Sequence, residues 1–232
     1  MEIITDKTIF DINNPYPETF KVGELEVLIF NDFLKKPDEY KKLLSQIPAF
    51  ESDYFYPTAS PGWRQLIPYE FFLKMESLLS NWVGFNPWVE QSFTNIYKDR
   101  MRCNCKAWYP HHDSKEYVLN LWLSEGAGGT AFYTWNNYAQ GIQLPEHVQD
   151  KIFSKQVRGS YEYEEFVGDE NWRMYHLEPI QYNRAIFYNG NYFHSAYMPK
   201  HSYVNDIRHS LVLMGNKYCL LYTSPSPRDQ RG

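Results

Sequence analysis

The spacing of apolar residues changes character along the chain, and each change predicts a different element. Residues 24–31, ELEVLIFN, alternate apolar and polar and then run apolar, as a partly buried strand does. In the next segment Pro37 stands at a first helical position, and Tyr40, Leu43 and Leu44 recur at helical spacing, predicting a short amphipathic helix. Residues 51–68 mix Ser, Thr, Pro and aromatics around Pro61-Gly62 and read as a long loop. A second helix is predicted from about Tyr69 to Val83, where Phe71, Phe72, Met75, Leu78, Leu79 and Trp82 share one broad face and Gly84 stops it.

From residue 90 onward the pattern shortens into β-prone runs at 91–97, 102–109, 117–123, 130–135, 173–178, 184–189, 192–197 and 208–214. Such a succession predicts a mainly β (α+β) sandwich or jelly roll. Its one helical interruption is at 144–155, followed by an acidic, Tyr-rich loop at 159–171. The expected organisation is a single domain over 1–218, with an N-terminal helical support to about residue 89 and a β core from about 90 to 218. The segment after about residue 218 carries two Ser-Pro steps, charge and Gly without a periodic face, which predicts an unstructured tail. It also resembles a translated sequencing adaptor, so 219–232 is expected to be non-native.

Composition strengthens the β reading, since 20 Tyr, 15 Phe and 7 Trp bring aromatics to 18% of the chain. A net charge of −5 offers no electrostatic reason for a polyanionic partner, so nucleic acid is disfavoured. Three cysteines, with Cys103 and Cys105 too close for an ordinary bridge, do not make a disulfide framework, and packing is their expected role. The N-terminus lacks the order of a signal peptide and no apolar run is long enough to span a bilayer, so a soluble cytoplasmic protein is expected.

Candidate chemistry lies in WYPHHDS. If this run is extended, His111 and Asp113 point to the same face and His112 to the other. His194, in NGNYFHSA, can bring a second imidazole from a neighbouring strand, completing a two-His, one-carboxylate triad. Three ligands on one face of a ferrous ion leave positions for a bidentate keto acid and for dioxygen. Arg208 offers a planar guanidinium to the far carboxylate of such an acid, and Ser210 shares its face. Asn120, Tyr109 and Thr130, on strands expected to line the interior, could assist Arg208. Tyr133, Trp135, Asn136 and Tyr138 could form an aromatic rim for a flat or apolar substrate. Taken singly, each of these residues reads equally well as a surface or core residue; their order along a β-rich chain is what favours a site.

The segment from Trp108 to Met214 resembles the double-stranded β-helix core of the Fe(II)/2-oxoglutarate dioxygenases, particularly the prolyl-4-hydroxylase-like branch. PHHD matches the family's Pro-His-x-Asp, GAGGTAFY at 126–133 its Gly-Gly strand, NRAIFYNGNYFHSA its distal-His strand pair, and RHSL its Arg-x-Ser. The N-terminal part looks like the helical layer that supports one sheet in such enzymes. The resemblance implies Fe(II), 2-oxoglutarate and O2, with ascorbate in support. It implies His111, Asp113 and His194 as metal ligands, and Arg208, Ser210, Tyr109 and Asn120 around the co-substrate. The expected outcome is hydroxylation of a small molecule, an amino acid or a peptide side chain, with release of succinate and CO2. Collagen-type enzymes carry a Lys about ten residues after the distal His where this chain has Arg208 at a longer interval, so their substrates do not transfer. Asp113 stands where the related halogenases have a small residue, which favours hydroxylation over halogenation. The competing expectation is a non-catalytic, cupin-like protein that binds a metal or small molecule.

Overall fold

Two antiparallel sheets face each other, and successive strands of the C-terminal half pass between them. The structure, a computed structural model, describes residues 6–48, 50–51, 63–65, 67–83, 88–97, 110–113, 115–149, 166–197, 199 and 207–216. In chain order the strands are β1 (Glu18–Val22), β2 (Leu25–Phe30), β3 (Phe50–Glu51), β4 (Trp63–Gln65), β5 (Trp88–Tyr97), β6 (Tyr117–Trp122), β7 (Gly129–Trp135), β8 (Trp172–Pro179), β9 (Arg184–Asn189), β10 (His194–Tyr197) and β11 (Arg208–Asn216). The major sheet runs β1-β2-β9-β6-β11-β5-β4-β3 and the minor sheet β10-β7-β8. Thus β6 is followed by β7 and β8 in the opposite sheet, β9 returns, β10 crosses again, and β11 comes back between β6 and β5. This winding is the double-stranded β-helix, or jelly roll, that the strand pattern predicted.

Helices α1 (Pro37–Gln46) and α2 (Tyr69–Val83) cover the outer face of the major sheet. Pro37 occupies the start of α1, with Asp38 and Glu39 in the first turn where they complement the helix dipole. Its apolar stripe is Tyr40 and Leu44; that of α2 is Phe71, Met75 and Leu79, all fully or nearly fully buried. They meet Leu119, Leu121 and Leu123 of β6 and its exit, Leu211 and Leu213 of β11, and Phe187 of β9.

The alternate residues of the same strands point inward. Val118 and Trp122, Ile186 and Tyr188, and Val212 meet Phe132 of β7 between the sheets. A further apolar cluster, with Tyr133, Phe166, Trp172 and Phe193, coats the outer side of the minor sheet.

Several expectations are corrected. The N-terminal part is not only helical support: β1, β2, β3 and β4 extend both edges of the major sheet. The β1–β2 hairpin has the two-residue loop Gly23-Glu24, and Gly23 adopts φ +57, which the tight turn requires. The loop expected at 51–68 is bounded by β3 and β4; residues 52–62 lie outside the described residues. In place of a helix starting at 144, a 3-10 turn occupies Gly141–Gln143, Leu144 caps it, and helical residues begin after Pro145, at 146–149. The mutual bonds of Gln140 and Gln143 hold that turn. The run at 192–197 becomes a strand only from His194, because Tyr192 N–H closes a turn on Asn189 O. The expected strand 102–109, the acidic loop through 165 and the tail lie outside the described residues. No helix among the described residues is long and apolar enough to cross a membrane.

Candidate metal centre

His111 and His194 form a directly opposed antiparallel pair, each N–H donating to the other's carbonyl oxygen, at 2.9 and 2.8 Å. Their rings lie 4.7 Å apart. Two residues on, Asp113 N–H donates to Gly190 O at 2.8 Å, which holds the segment against the turn leading into β10. The period of two along this extended segment brings His111 and Asp113 to the inside and turns His112 out.

The ligand-type atoms of His111, Asp113 and His194 all lie within 4.8 Å of one another. His194 Nδ1 is 2.8 Å from Tyr192 O; a carbonyl only accepts, so Nδ1 carries the hydrogen and Nε2 is turned toward Asp113. His194 Nε2 lies 3.3 Å from Asp113 Oδ2, and His111 Nε2 lies 3.9 Å from Asp113 Oδ1. Adjacent donors around an octahedral ion with ligand bonds of ~2.1 Å stand ~3 Å apart, so small side-chain movements would seat a cation between these atoms.

The electrostatics agree with that fit. Burial alone would drive the His194 imidazole down, but the Asp113 carboxylate holds its pKa above the ordinary value. Burial would likewise push Asp113 up, and it is instead lowered by His194 and then His111.

The pocket around these groups is walled by inward-facing residues at a spacing of two. β6 supplies Val118, Asn120 and Trp122, and β11 supplies Arg208, Ser210, Val212 and Met214, with Thr130 of β7 and Tyr188 of β9. The cavity, about 70 Å3, is several times the ~10–15 Å3 that one water requires. Arg208 is 3% exposed, so its guanidinium charge is held inside the protein.

His111, Asp113, His194, Arg208, Ser210, Asn120 and Thr130 are therefore brought to one cavity. Tyr109, Cys103 and Cys105 lie outside the described residues. Asn120 Nδ2 donates to Thr130 Oγ1 at 3.3 Å and to Tyr188 Oη at 3.2 Å, so both amide hydrogens are engaged by protein. Tyr133 and Trp135 do not form a rim: they pack on the outer side of the minor sheet, where Tyr133 donates to Phe166 O.

Tyr188, Trp122, Val118, Val212 and Met214 also line the cavity and belong to no motif. Counting by two from Asn120 and Ser210 reaches four of them. Tyr188 had no such signal, because its place depends on Val118 pairing with it across β6 and β9. Burial, and next the Asp113 charge, push its phenol well above the usual range, so it stays a neutral hydrogen-bonding group.

A family model described as a family of unknown function, DUF6445, matches residues 13–210. The chain belongs to the DUF6445 family. No curated protein matches this DUF6445 chain. Among solved structures it is similar to an oxidoreductase of the 2OG-Fe(II) oxygenase family from Burkholderia pseudomallei, at 11% identity and a TM-score of 0.42, over 82% of this chain and 84% of that one. It is also similar to the non-heme alpha ketoglutarate dependent epimerase SnoN from nogalamycin biosynthesis, at 14% identity and a TM-score of 0.44, over 81% of this chain and 78% of that one. A second structure of SnoN, in complex with Fe3+, alpha ketoglutarate and nogalamycin RO, gives 14% identity and a TM-score of 0.41, over 81% and 78%.

Proposed function

We propose that this chain is an Fe(II)- and 2-oxoglutarate-dependent oxygenase, prolyl-4-hydroxylase-like in the order of its motifs, that hydroxylates a small molecule, an amino acid or a peptide side chain. One observation carries the reading: two imidazoles and a carboxylate converge in the same cavity as a buried arginine.

In this reading His111, Asp113 and His194 hold the metal by one face. Bound Fe(II) would supply the dioxygen chemistry, which protein side chains do not offer. The Tyr192 carbonyl fixes the His194 ring so that Nε2 is the ligating atom. Arg208 takes the distal carboxylate of 2-oxoglutarate in a charge-assisted pair, with Ser210 on the same face of β11. Val118, Trp122, Val212 and Met214 exclude water around the acid, which leaves as succinate and CO2. Tyr109 and Asn120 complete the co-substrate shell, and ascorbate is a supporting reductant. Residues 1–218 work as one domain in the cytoplasm.

The test is anaerobic loading of the full chain with Fe(II) and 2-oxoglutarate, watching for a weak visible charge-transfer band. The band is expected in the wild type and lost in His111→Ala and His194→Ala; a substrate screen read by succinate release follows. A folded wild type that shows no band and retains no iron overturns the proposal and leaves a non-catalytic binding protein.

A further inference from the structure

Gly141 poses a question that its backbone does not answer. It begins a 3-10 turn, and its φ is not among the left-handed values that favour glycine. What requires a missing side chain is His112: a Cβ at position 141 would stand 2.1 Å from its Cδ2, 2.4 Å from its Cγ and 2.5 Å from its Nε2. These atoms include the root of the ring, so no small tilt relieves the overlap.

The ring has few places to go. It stands edge-on to Phe193 at 5.8 Å, and its Nδ1 lies 3.2 Å from Asp113 O, a carbonyl to which it donates. The other side of this extended segment is taken by His111 and Asp113, which face the cavity.

The Gly141 turn and the His112 segment lie on opposite flanks of residues 190–194. On one flank Gly141 N–H donates to Asn191 O at 2.9 Å and Phe193 N–H to Ala139 O at 3.0 Å. On the other, His111 pairs with His194, and Asp113 N–H reaches Gly190 O. The imidazole of His112 spans this strip from outside and seats on the bare Cα of Gly141.

We propose that His112 and Gly141 form a clasp that sets the position of Asp113 relative to His194, making both of them positioning residues for the metal centre. This rests on the metal-centre reading above. The clasp ties the 111–113 segment, which carries two of the candidate ligands, over the outer surface of residues 190–194, which lead to the third, and onto the turn at Gly141. A methyl group at 141 forces the ring away, and with it the backbone of 111–113 that carries two of the three donors.

The test uses the full chain with Co(II) as the probe, its affinity read from the ligand-field absorption. Gly141→Ala is expected to weaken Co(II) binding by about tenfold or more, as loss of outer support to a metal ligand does. Adding His112→Ala removes the clash, so the double variant is expected to return to within about threefold of His112→Ala alone, a coupling that independent sites do not show. A parallel measurement needs no metal: amide exchange at His111 and Asp113 in the metal-free protein should be faster than wild type in His112→Ala, faster still in Gly141→Ala, and back to the His112→Ala rate in the double variant.

Should Gly141→Ala not fold, recovery of folding in the double variant supports the clasp, and its absence overturns it. Wild-type Co(II) affinity and wild-type exchange in a folded Gly141→Ala protein also overturn it, as does a double variant no better than Gly141→Ala. A wild type that binds no Co(II) counts against the metal centre itself, and the exchange comparison then decides on the clasp alone.

Discussion

The two faces of the major sheet are built from alternate residues of the same strands, yet they do opposite work. On β6 the sequence Leu119, Leu121 faces the helices, while Val118, Asn120 and Trp122 between and beside them face the cavity. On β11 Leu211 and Leu213 face the helices, and Arg208, Ser210 and Val212 face inward. The outer face is mainly apolar beneath the helices and gains its stability from area removed from water. The inner face buries a guanidinium, a phenol and hydroxyls, groups that cost stability unless something satisfies them. The outer layer offsets the cost of the inner one, so substitutions on the two faces should separate stability from binding.

The largest effect is expected on the inner face. Arg208→Leu should leave the fold intact and weaken 2-oxoglutarate by about 3–5 kcal/mol, because a carboxylate would be buried without its partner. That is at least about 100-fold in Kd, read by titrating the charge-transfer band. Unchanged affinity would remove Arg208 from the co-substrate site.

The converse change is Leu121→Ala. This side chain is fully buried against the helical layer, and its truncation should cost about 2–5 kcal/mol in denaturant unfolding. The keto-acid Kd of the folded fraction should move by less than about threefold, since the residue shares no atom with the cavity. A large loss of affinity would show that the two faces are not separable.

Asn183 tests whether a buried polar residue away from the cavity is purely structural. Its side chain accepts from Leu34 N–H and donates to Leu34 O, both at 2.9 Å, while its own carbonyl accepts from Phe33 N–H. It therefore ties the chain leaving β2 to the start of β9. Asn183→Leu should lower stability by about 3 kcal/mol or more, through two unsatisfied backbone groups and the left-handed φ of 59 that leucine disfavours, with ligand binding unaltered.

The smallest effect is expected at the exposed edge. The pKa of Asp6 is lowered to about 2 by hydrogen bonds from Thr8 and then Lys36. A depressed carboxylate contributes stability above its unfolded value near 3.8, and that contribution is lost as pH falls through about 2. The difference in Tm between wild type and Asp6→Ala should thus be small and positive at pH 6 and close as pH drops to 2. A gap that persists at pH 2 would assign the effect to something other than the charge.

Local pattern made much of this legible. The stripe Phe71, Met75, Leu79 defined α2, and the run 184–189 matches β9. The i, i+2 spacing of His111 and Asp113 is a property of extended chain and needed no partner to be read. β1 was missed because ETFKV is an edge strand, mostly exposed, whose character comes from pairing with β2. Tyr188 and the clasp of His112 on Gly141 were missed for the same physical reason: each is a contact between segments far apart in sequence, and no local period encodes it.

The position of β11 has a consequence for how the molecule is made. It is the last described strand in the chain, yet it lies in the interior of the major sheet, pairing with β6 on one side and β5 on the other. A nascent chain emerging from the ribosome would present β5 and β6 with a gap between them until residues 208–216 arrive, and both exposed edges would be open to wrong partners in the interval. Pairings of such long sequence separation also close slowly. Production of soluble protein should therefore depend more on chaperone supply and synthesis rate than the finished fold alone would suggest.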